Sequence, residues 1–437
     1  MQPQKTIQAP FRHGPITLSG CMMPPISLCQ DWSRVCTPRI GVARLTQMAF
    51  TGQDIRALWH EFMAKATDDV AGAGMGMDLS VIAQLLGDQP TGLAIQDDTL
   101  ALQQFYRSPC KATKPGLRVL AFAAVMDIGG NTPLEFLLDE SDIELATFYA
   151  VPGRPLPAIF PDHDVAIVVA PDGDAARAAM QVIEKLVADW PRPVLNLPAG
   201  IGKLDRDQLY WRLHGIAGLA IPQTVRASRG QLEQLATNAL GLHAILADGA
   251  FPVIVRPIGS HAGFGLEKVA DRDGLAVYLA ERPESDFFIS RYVDYSSADG
   301  KFRKYRIVIV DGKPHACHMA IADEWKVWYL NADMALSVRH RLEEALFMDR
   351  FDTDFAMLHA GALAEMSARI GLDYFAIDCA ETRDGKLLLF EADNTAIVHD
   401  MDPPSVYPYK SPQMQSIFKA VQVMLYAHAR RDRAGAA

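Results

Sequence analysis

The sequence predicts a multidomain protein of the α/β and α+β classes. A mostly helical N-terminal domain is expected over 1–113, a small parallel α/β domain over 114–200, and a mixed α+β region over 201–437. Three observations predict this. Apolar residues in the first part of the chain recur at helical rather than strand spacing. Between 114 and 200, short apolar runs alternate with amphipathic stretches, the pattern of strands buried on both faces by crossover helices. Beyond 200, strand-like runs meet at Asp-Gly turns around one long helical stretch, and no internal repeat is evident.

Composition limits the function classes. At 437 residues and 49% hydrophobic content, the chain can bury large cores. A net charge of −10 without a Lys/Arg block leaves neither nucleic acid nor an anionic membrane as an expected partner. The start, Met1-Gln2-Pro3-Gln4-Lys5, has no apolar signal core, and no long uncharged apolar run follows, so a cytoplasmic protein is expected. Cys21, Cys29, Cys36, Cys110, Cys317 and Cys379 form no Cys-x-x-Cys pair and read as reduced thiols. The Cys21/Cys29/Cys36 group lacks zinc-site spacing, although a folded loop could still gather it.

In the first region, Ile55, Leu58, Trp59, Phe62 and Met63 give Gln53–Ala66 a helical face, and Leu79–Leu86 and Asp98–Tyr106 read as further amphipathic helices. Gly72, Gly74 and Gly76 follow no strand and lack a Gly-Lys-Ser/Thr ending, so they read as a flexible connection. Residues 1–50 are irregular and suggest no function. The helical domain could recognise a peptide or protein, or serve for a homodimer.

In the second region, Val119–Met126 is a buried strand, followed by a helix with Thr132 as N-cap, Pro133 at its first position and Glu135 completing a capping box. Strands Glu144–Val151 and Val165–Ala170, a helix over Asp174–Ala188 capped by Asp174, and a strand at Val194–Leu195 complete it. The loop Asp127–Asn131 is either a ligand loop at a strand's C-terminal end or a plain tight turn.

In the third region, strands are expected at Phe251–Pro257, Phe287–Val293, Tyr305–Val310 and His315–Ile321, with helices at Gly274–Glu281 and, with a break, Arg341–Arg369. Tyr374–Ile377 and Leu387–Phe390 then flank Asp384-Gly385 as a hairpin. Asp378 closes its first strand; Glu391 and Asp393 close the second and share a face. Three carboxylates this close suit a hard cation such as Mg²⁺ carrying nucleotide phosphates; the bland alternative is a solvated hairpin. Upstream, the strand ending in Arg256 delivers a cation into a loop with Gly259, Ser260, His261, Ala262, Gly263 and Gly265, which can cradle phosphate oxygens. Anion cradle and cation cage together are the two halves of a Mg–ATP site.

On these residues the sequence resembles the ATP-grasp superfamily, particularly its glutathione synthetase-like and ribosomal-protein glutamate ligase-like branch, from Arg118 to His428. Further landmarks are Pro193–Pro198 with Arg206-Asp207, Ile221-Pro222-Gln223-Thr224, Phe288–Asp294 and Lys304–Gly312. The resemblance implies a pre-ATP-grasp α/β domain and a two-lobed ATP-grasp domain, with lobes about 201–290 and 291–437. It implies ATP and Mg²⁺ as cofactors. It places Arg256, Ser260, Gly263 and Gly265 on the phosphates, and backbone groups of Ser290 and Tyr292 on adenine. It sets Asp294 near the ribose, Arg306 on the transferring phosphoryl group, and Asp378, Glu391 and Asp393 on the metal, with Asn394 the alternative third ligand. Arg256 stands where Lys is usual, Arg291 where Glu is usual and Asp393 where Asn is usual, as in a distinct subfamily.

The implied reaction is ADP-forming carboxylate–amine ligation through an acyl-phosphate, on small-molecule or peptide substrates. A nucleotide-responsive binding module and a phosphotransferase are the alternatives. Three further groups complete the reading. His315, Cys317 and His318 favour packing or substrate lining, with His315 and Cys317 on one strand face and His318 on the other. Lys326 meets a substrate carboxylate or solvent. His399, just past the acidic hairpin, is an acceptor contact or base.

Overall fold

The computed structural model describes residues 26–66, 69–70, 72–260 and 263–435. The readings of Cys21, of the first 25 residues, and of His261 and Ala262 lie outside the described residues.

The first sheet has six strands in the order Thr37–Pro38, Phe105–Arg107, Ile143–Ala150, Leu117–Ala124, Val165–Val168, Val194–Leu195. The last four run parallel, as the alternating apolar runs predict. The other two come from the N-terminal segment, which is therefore stitched into this sheet and not strand-free. Phe105–Arg107 also displaces the helix expected over Asp98–Tyr106. The helix lies earlier, at Gln89–Leu102, where the Asp88 carboxylate accepts from Thr91 N at 3.2 Å.

The helix Ile55–Lys65 forms as expected, capped by Asp54. The Gly72–Gly76 reading needs correction. Gly74 and Gly76 lie inside the helix Ala73–Leu85, where a Cβ on Gly74 would sit 2.1 Å from Pro38 O and one on Gly76 2.5 Å from Thr99 Oγ1. These glycines permit close approach of neighbouring chain rather than flexibility.

The expected capping box at Thr132 does not form either. The helix there is only Leu134–Leu137, and longer-range partners take both side chains. Thr132 Oγ1 donates to Asn394 O at 2.7 Å, while Glu135 accepts from Arg39 at 2.7 Å, Ser108 Oγ at 2.8 Å and Ala43 N at 3.0 Å. Asp174 pairs with Arg177, and its helix begins only at Arg177. The Asp127–Asn131 loop is a turn closed on its own strand, the Asn131 amide bonding Ala124 N and O at 2.8 and 3.0 Å.

A second, antiparallel sheet has the order Thr224–Ser228, Asp286–Arg291, Val253–Pro257, Glu267–Val269. It carries its own core, including Leu232, Val255, Leu275 and Phe287. The third has five strands: Lys313–Ala322, Phe302–Val310, Tyr374–Glu381, Leu387–Asp393, Leu219–Ala220. Its core is continuous with that of the six-stranded sheet. The broken helical stretch appears as Val338–Asp349, Phe355–Leu358 and Ala360–Ile370, and Lys410–Gly435 packs across the back.

Two local readings change. The strand through Asp378 continues to Glu381, so Asp378 lies within the strand, directly opposite Glu391. On the other side, a bulge lets Arg306 pair with His318 and Ile307 with Ala316, leaving Cys317 as the extra residue. Simple alternation therefore fails. Cys317 and His318 share surroundings with Arg306 and Asp378, whereas His315 lies near Asp352.

Candidate functional site

A cavity of about 450 Å³ separates the four- and five-stranded sheets. Arg256, Phe288 and Ser290 line it from the smaller sheet, and Lys304, Arg306, Asp378, Glu391 and Asp393 from the larger. Trp325, Lys326 and Trp328 close the rim.

The acidic side is set by strand register. Asp378 is opposite Glu391, and Asp393 lies two residues further on the same face. Asp378 is 3% exposed and accepts from Arg306 Nε at 2.8 Å and Nη2 at 3.1 Å, with Lys304 Nζ 2.7 Å away. Burial opposes its charge, but Arg306 and then Lys304 hold the carboxyl far below the usual range. Glu391 pairs with Arg206, from the first turn of the helix Arg206–Leu213. Burial again opposes the charge, and Arg206 leaves that carboxyl below its ordinary value. Among the described residues Asp393 has no ion-pair partner, and Arg306 acts on it only at a distance. It accepts from Thr395 N at 2.7 Å and Oγ1 at 2.8 Å, and burial raises its carboxyl. Asn394 points elsewhere: its amide donates to Ala170 O at 2.9 Å, tying the hairpin to the parallel sheet.

On the anion side, Arg256 is buried and bends back on its own loop. Its Nε donates to Ser260 Oγ at 3.1 Å and its Nη2 to Ser260 O, while Ser260 Oγ donates to Pro257 O at 2.8 Å. Burial, helped by Arg206, lowers its guanidinium to about 10. Gly263 lines the cavity with φ +73°, in the region other residues avoid. Gly265 packs against Pro257 and offers its carbonyl to Tyr278 Oη at 2.8 Å.

The cavity thus gathers Arg256, Gly263, Ser290, Tyr292, Arg306, Asp378, Glu391 and Asp393. Ser260, Gly265, Asp294, Asn394 and His399 do not line it. Tyr292 N already donates to Pro252 O at 3.1 Å. Asp294 pairs with Arg383 at 3.0 Å. His399 Nδ1 accepts from Met401 N at 3.2 Å, its ring centroid lies 6.3 Å from that of Phe136, and burial lowers its ring. Two further cations line the site, Lys304 and Arg206, which the sequence shows only as parts of longer landmarks. Lys304 shares a strand face with Arg306 and was legible by that alternation. Arg206 reaches Glu391 across 185 residues, which no local pattern signals.

The donor set fits Mg²⁺ in part. Glu391 and Asp393 are hard oxygen donors on one face, and Mg²⁺ commonly takes one or two carboxylates plus phosphates. Asp378 is committed to Arg306 and Lys304, and one oxygen of Glu391 to Arg206, leaving the other Glu391 oxygen and Asp393 for the ion. Among the described residues, no three His, Cys, Asp or Glu side chains are gathered as a metal site.

No family model matches the chain, and no curated protein matches it. Solved structures do. The chain is similar to an ATP-grasp RimK-domain protein from Sphaerobacter thermophilus at 20% identity, over 70% of this chain and 99% of that one, with a TM-score of 0.41. It is similar to the VanG D-Ala:D-Ser ligase from Enterococcus faecalis at 12% identity, over 72% and 99%, with a TM-score of 0.42. Against the ATP-grasp ligase PsnB, complexed with its precursor peptide PsnA2 and AMPPNP, identity is 10% over 72% and 99%, with a TM-score of 0.39. Among the described residues, no helix is long and apolar enough to cross a membrane.

Proposed function

We propose that the chain is an ATP-dependent carboxylate–amine ligase of the ATP-grasp kind, forming an amide through an acyl-phosphate. One observation carries this reading: a single cavity between the four- and five-stranded sheets is lined by Arg206, Arg256, Lys304, Arg306 and Lys326 and by Asp378, Glu391 and Asp393. Cations for a polyphosphate and carboxylates for its counter-ion then occur in one place.

The substrate carboxylate attacks the γ-phosphorus of ATP; a new O–P bond forms as the bond to ADP breaks. An amine then attacks the acyl carbon, expelling inorganic phosphate and leaving the amide. Arg306 and Lys304 sit where charge develops on the moving phosphoryl group, and Asp378 fixes the Arg306 fork through two hydrogen bonds. Arg256 and the loop around Gly263 cover the phosphates and exclude water from the acyl-phosphate. Glu391 and Asp393 would hold Mg²⁺, with Asp378 sharing it only by loosening Lys304 or Arg306. Bound there, the ion would offset phosphate charge. Asn394 is a structural tie in this reading, and His399, outside the cavity, has no assigned role. Catalysis is chiefly positioning and electrostatics, so no nucleophile–base pair is required.

The test is ADP release from ATP with a panel of amino acid and peptide carboxylates, with hydroxylamine as a general trap. Hydroxamate with ADP is the expected product, and Glu391→Ala should lose turnover on the order of 10³-fold while retaining its circular dichroism. AMP as product would overturn the acyl-phosphate route; ADP without hydroxamate would indicate a phosphotransferase.

A further inference from the structure

The helix Val338–Asp349 and the segments beside it carry an apolar surface that the cavity does not use. Leu336, Val338, Leu342, Leu346, Met357 and Leu358 are between 51% and 81% exposed. Val338, Leu342 and Leu346 follow one another at i, i+4 and i+8, so they form one stripe along the solvent face. The opposite face is anchored: Glu344 and Met348 are buried, and Glu344 accepts from Met319 N at 3.1 Å and Tyr409 Oη at 2.6 Å. A monomer rarely leaves a contiguous stripe of this kind uncovered.

Charges at the two ends of the stripe indicate its occupant. Arg339 lies in the first turn and Asp349 in the last; both are exposed, and neither has an ion-pair partner among the described residues. Each opposes the helix dipole, which favours acids at the N-terminus and bases at the C-terminus. They lie ten residues apart, roughly 15 Å along the axis, too far to pair within one helix. A second copy of the same helix laid antiparallel removes both problems. Its last turn meets the first turn here, so Asp349 of each copy faces Arg339 of the other, and Leu342 packs against Leu346 around a two-fold axis. Arg350 projects about 100° round from Asp349 and does not cancel that pairing. We infer that this face is a two-fold, antiparallel dimer interface between copies of this chain.

The surface is self-complementary, as an isologous contact requires.

Sedimentation velocity on the full chain, from low to high micromolar concentration, tests the inference. The protein should dimerise, and Leu342→Glu with Leu346→Glu should render it monomeric with unchanged circular dichroism. Asp349→Arg alone should weaken dimerisation roughly tenfold, and adding Arg339→Asp should restore it. A wild-type protein that stays monomeric, or a dimer insensitive to the leucine changes, would overturn the interface. Failure of the double charge reversal to restore association would overturn the antiparallel register.

Discussion

The two walls of the cavity hold charge in different ways. In the five-stranded wall, Asp378, Arg306 and Lys304 lie on adjacent strands, and each side chain is fixed by another side chain at 2.7–3.1 Å. That wall shares its core with the parallel sheet. In the four-stranded wall, the cation is held by the loop it would serve, with Arg256 bonded to Ser260 beyond the strand end, over a separate and smaller core. One wall fixes its charges by side chains on adjacent strands; the other fixes Arg256 through Ser260, just past the end of its own strand. Under the proposed function, the first wall supplies fixed electrostatics and the second supplies the phosphate contact.

Conservative changes on each wall should separate these roles. Arg306→Lys keeps the charge but loses the two-pronged contact with Asp378, so turnover should fall on the order of 10²-fold with little change in the KM for ATP. Arg256→Lys keeps charge on a loop-held group, and should mainly raise that KM, by roughly tenfold. Steady-state kinetics on both variants, once the substrate pair is known, checks the contrast. Equal effects on kcat would break it.

The same contrast explains what the sequence revealed. Strand alternation and a two-residue turn sufficed to bring Asp378, Glu391 and Asp393 to one face, because their placement is set by neighbours on one hairpin. The Asn394 ambiguity could not be settled that way, since its partner Ala170 lies 224 residues away. Thr132 and Glu135 read as a capping box because local pattern favours one, yet Asn394 and Arg39 compete for them successfully. Gly74 and Gly76 read as flexible because only the packed fold shows the Pro38 and Thr99 atoms that exclude a Cβ. The Cys317 bulge is another departure from simple period, invisible without its partner strand. Local geometry was legible, and long-range partnership was not.

A second difference between the two cores is their response to acid. In the larger assembly, buried His163 donates from Nδ1 to Pro161 O at 2.8 Å and accepts from Trp190 Nε1 at 3.0 Å, so it must be neutral. Burial lowers its ring to about 4. The folded state therefore binds this proton less readily than the unfolded chain, whose histidine titrates near 6.5. The contribution is complete above about pH 6.5 and is lost as pH falls to about 4, at most roughly 3 kcal/mol. Asp78, raised to about 6 by burial, works in the opposite sense, so the His163 effect is read as a difference between proteins. The smaller core contains no buried histidine among the described residues. Hydrogen exchange should show Leu117–Ala124 losing protection between pH 7 and pH 5 more than Val253–Pro257, and His163→Gln should shrink that difference. Equal loss in both strands would mean that the two cores unfold as one.

The smallest expected effect lies where the walls meet. Lys326, on the rim, reaches across to Glu267 of the smaller sheet at 3.5 Å, with both side chains partly exposed. A pair this solvated adds little stability, so its use must be sought in ligand binding. If the contact only holds the walls together, Lys326→Ala and Glu267→Ala should each raise the KM for ATP by the same few-fold factor. If nucleotide phosphate takes Lys326 from Glu267, the two changes should differ in sign: Lys326→Ala still raises KM, while Glu267→Ala frees the ammonium group and lowers it. The second outcome is expected, because a triphosphate competes for an ammonium group more strongly than a single half-exposed carboxylate does. Added salt should then weaken the effect of Lys326→Ala, since screening acts on the exposed rim far more than on the buried Arg306–Asp378 pair.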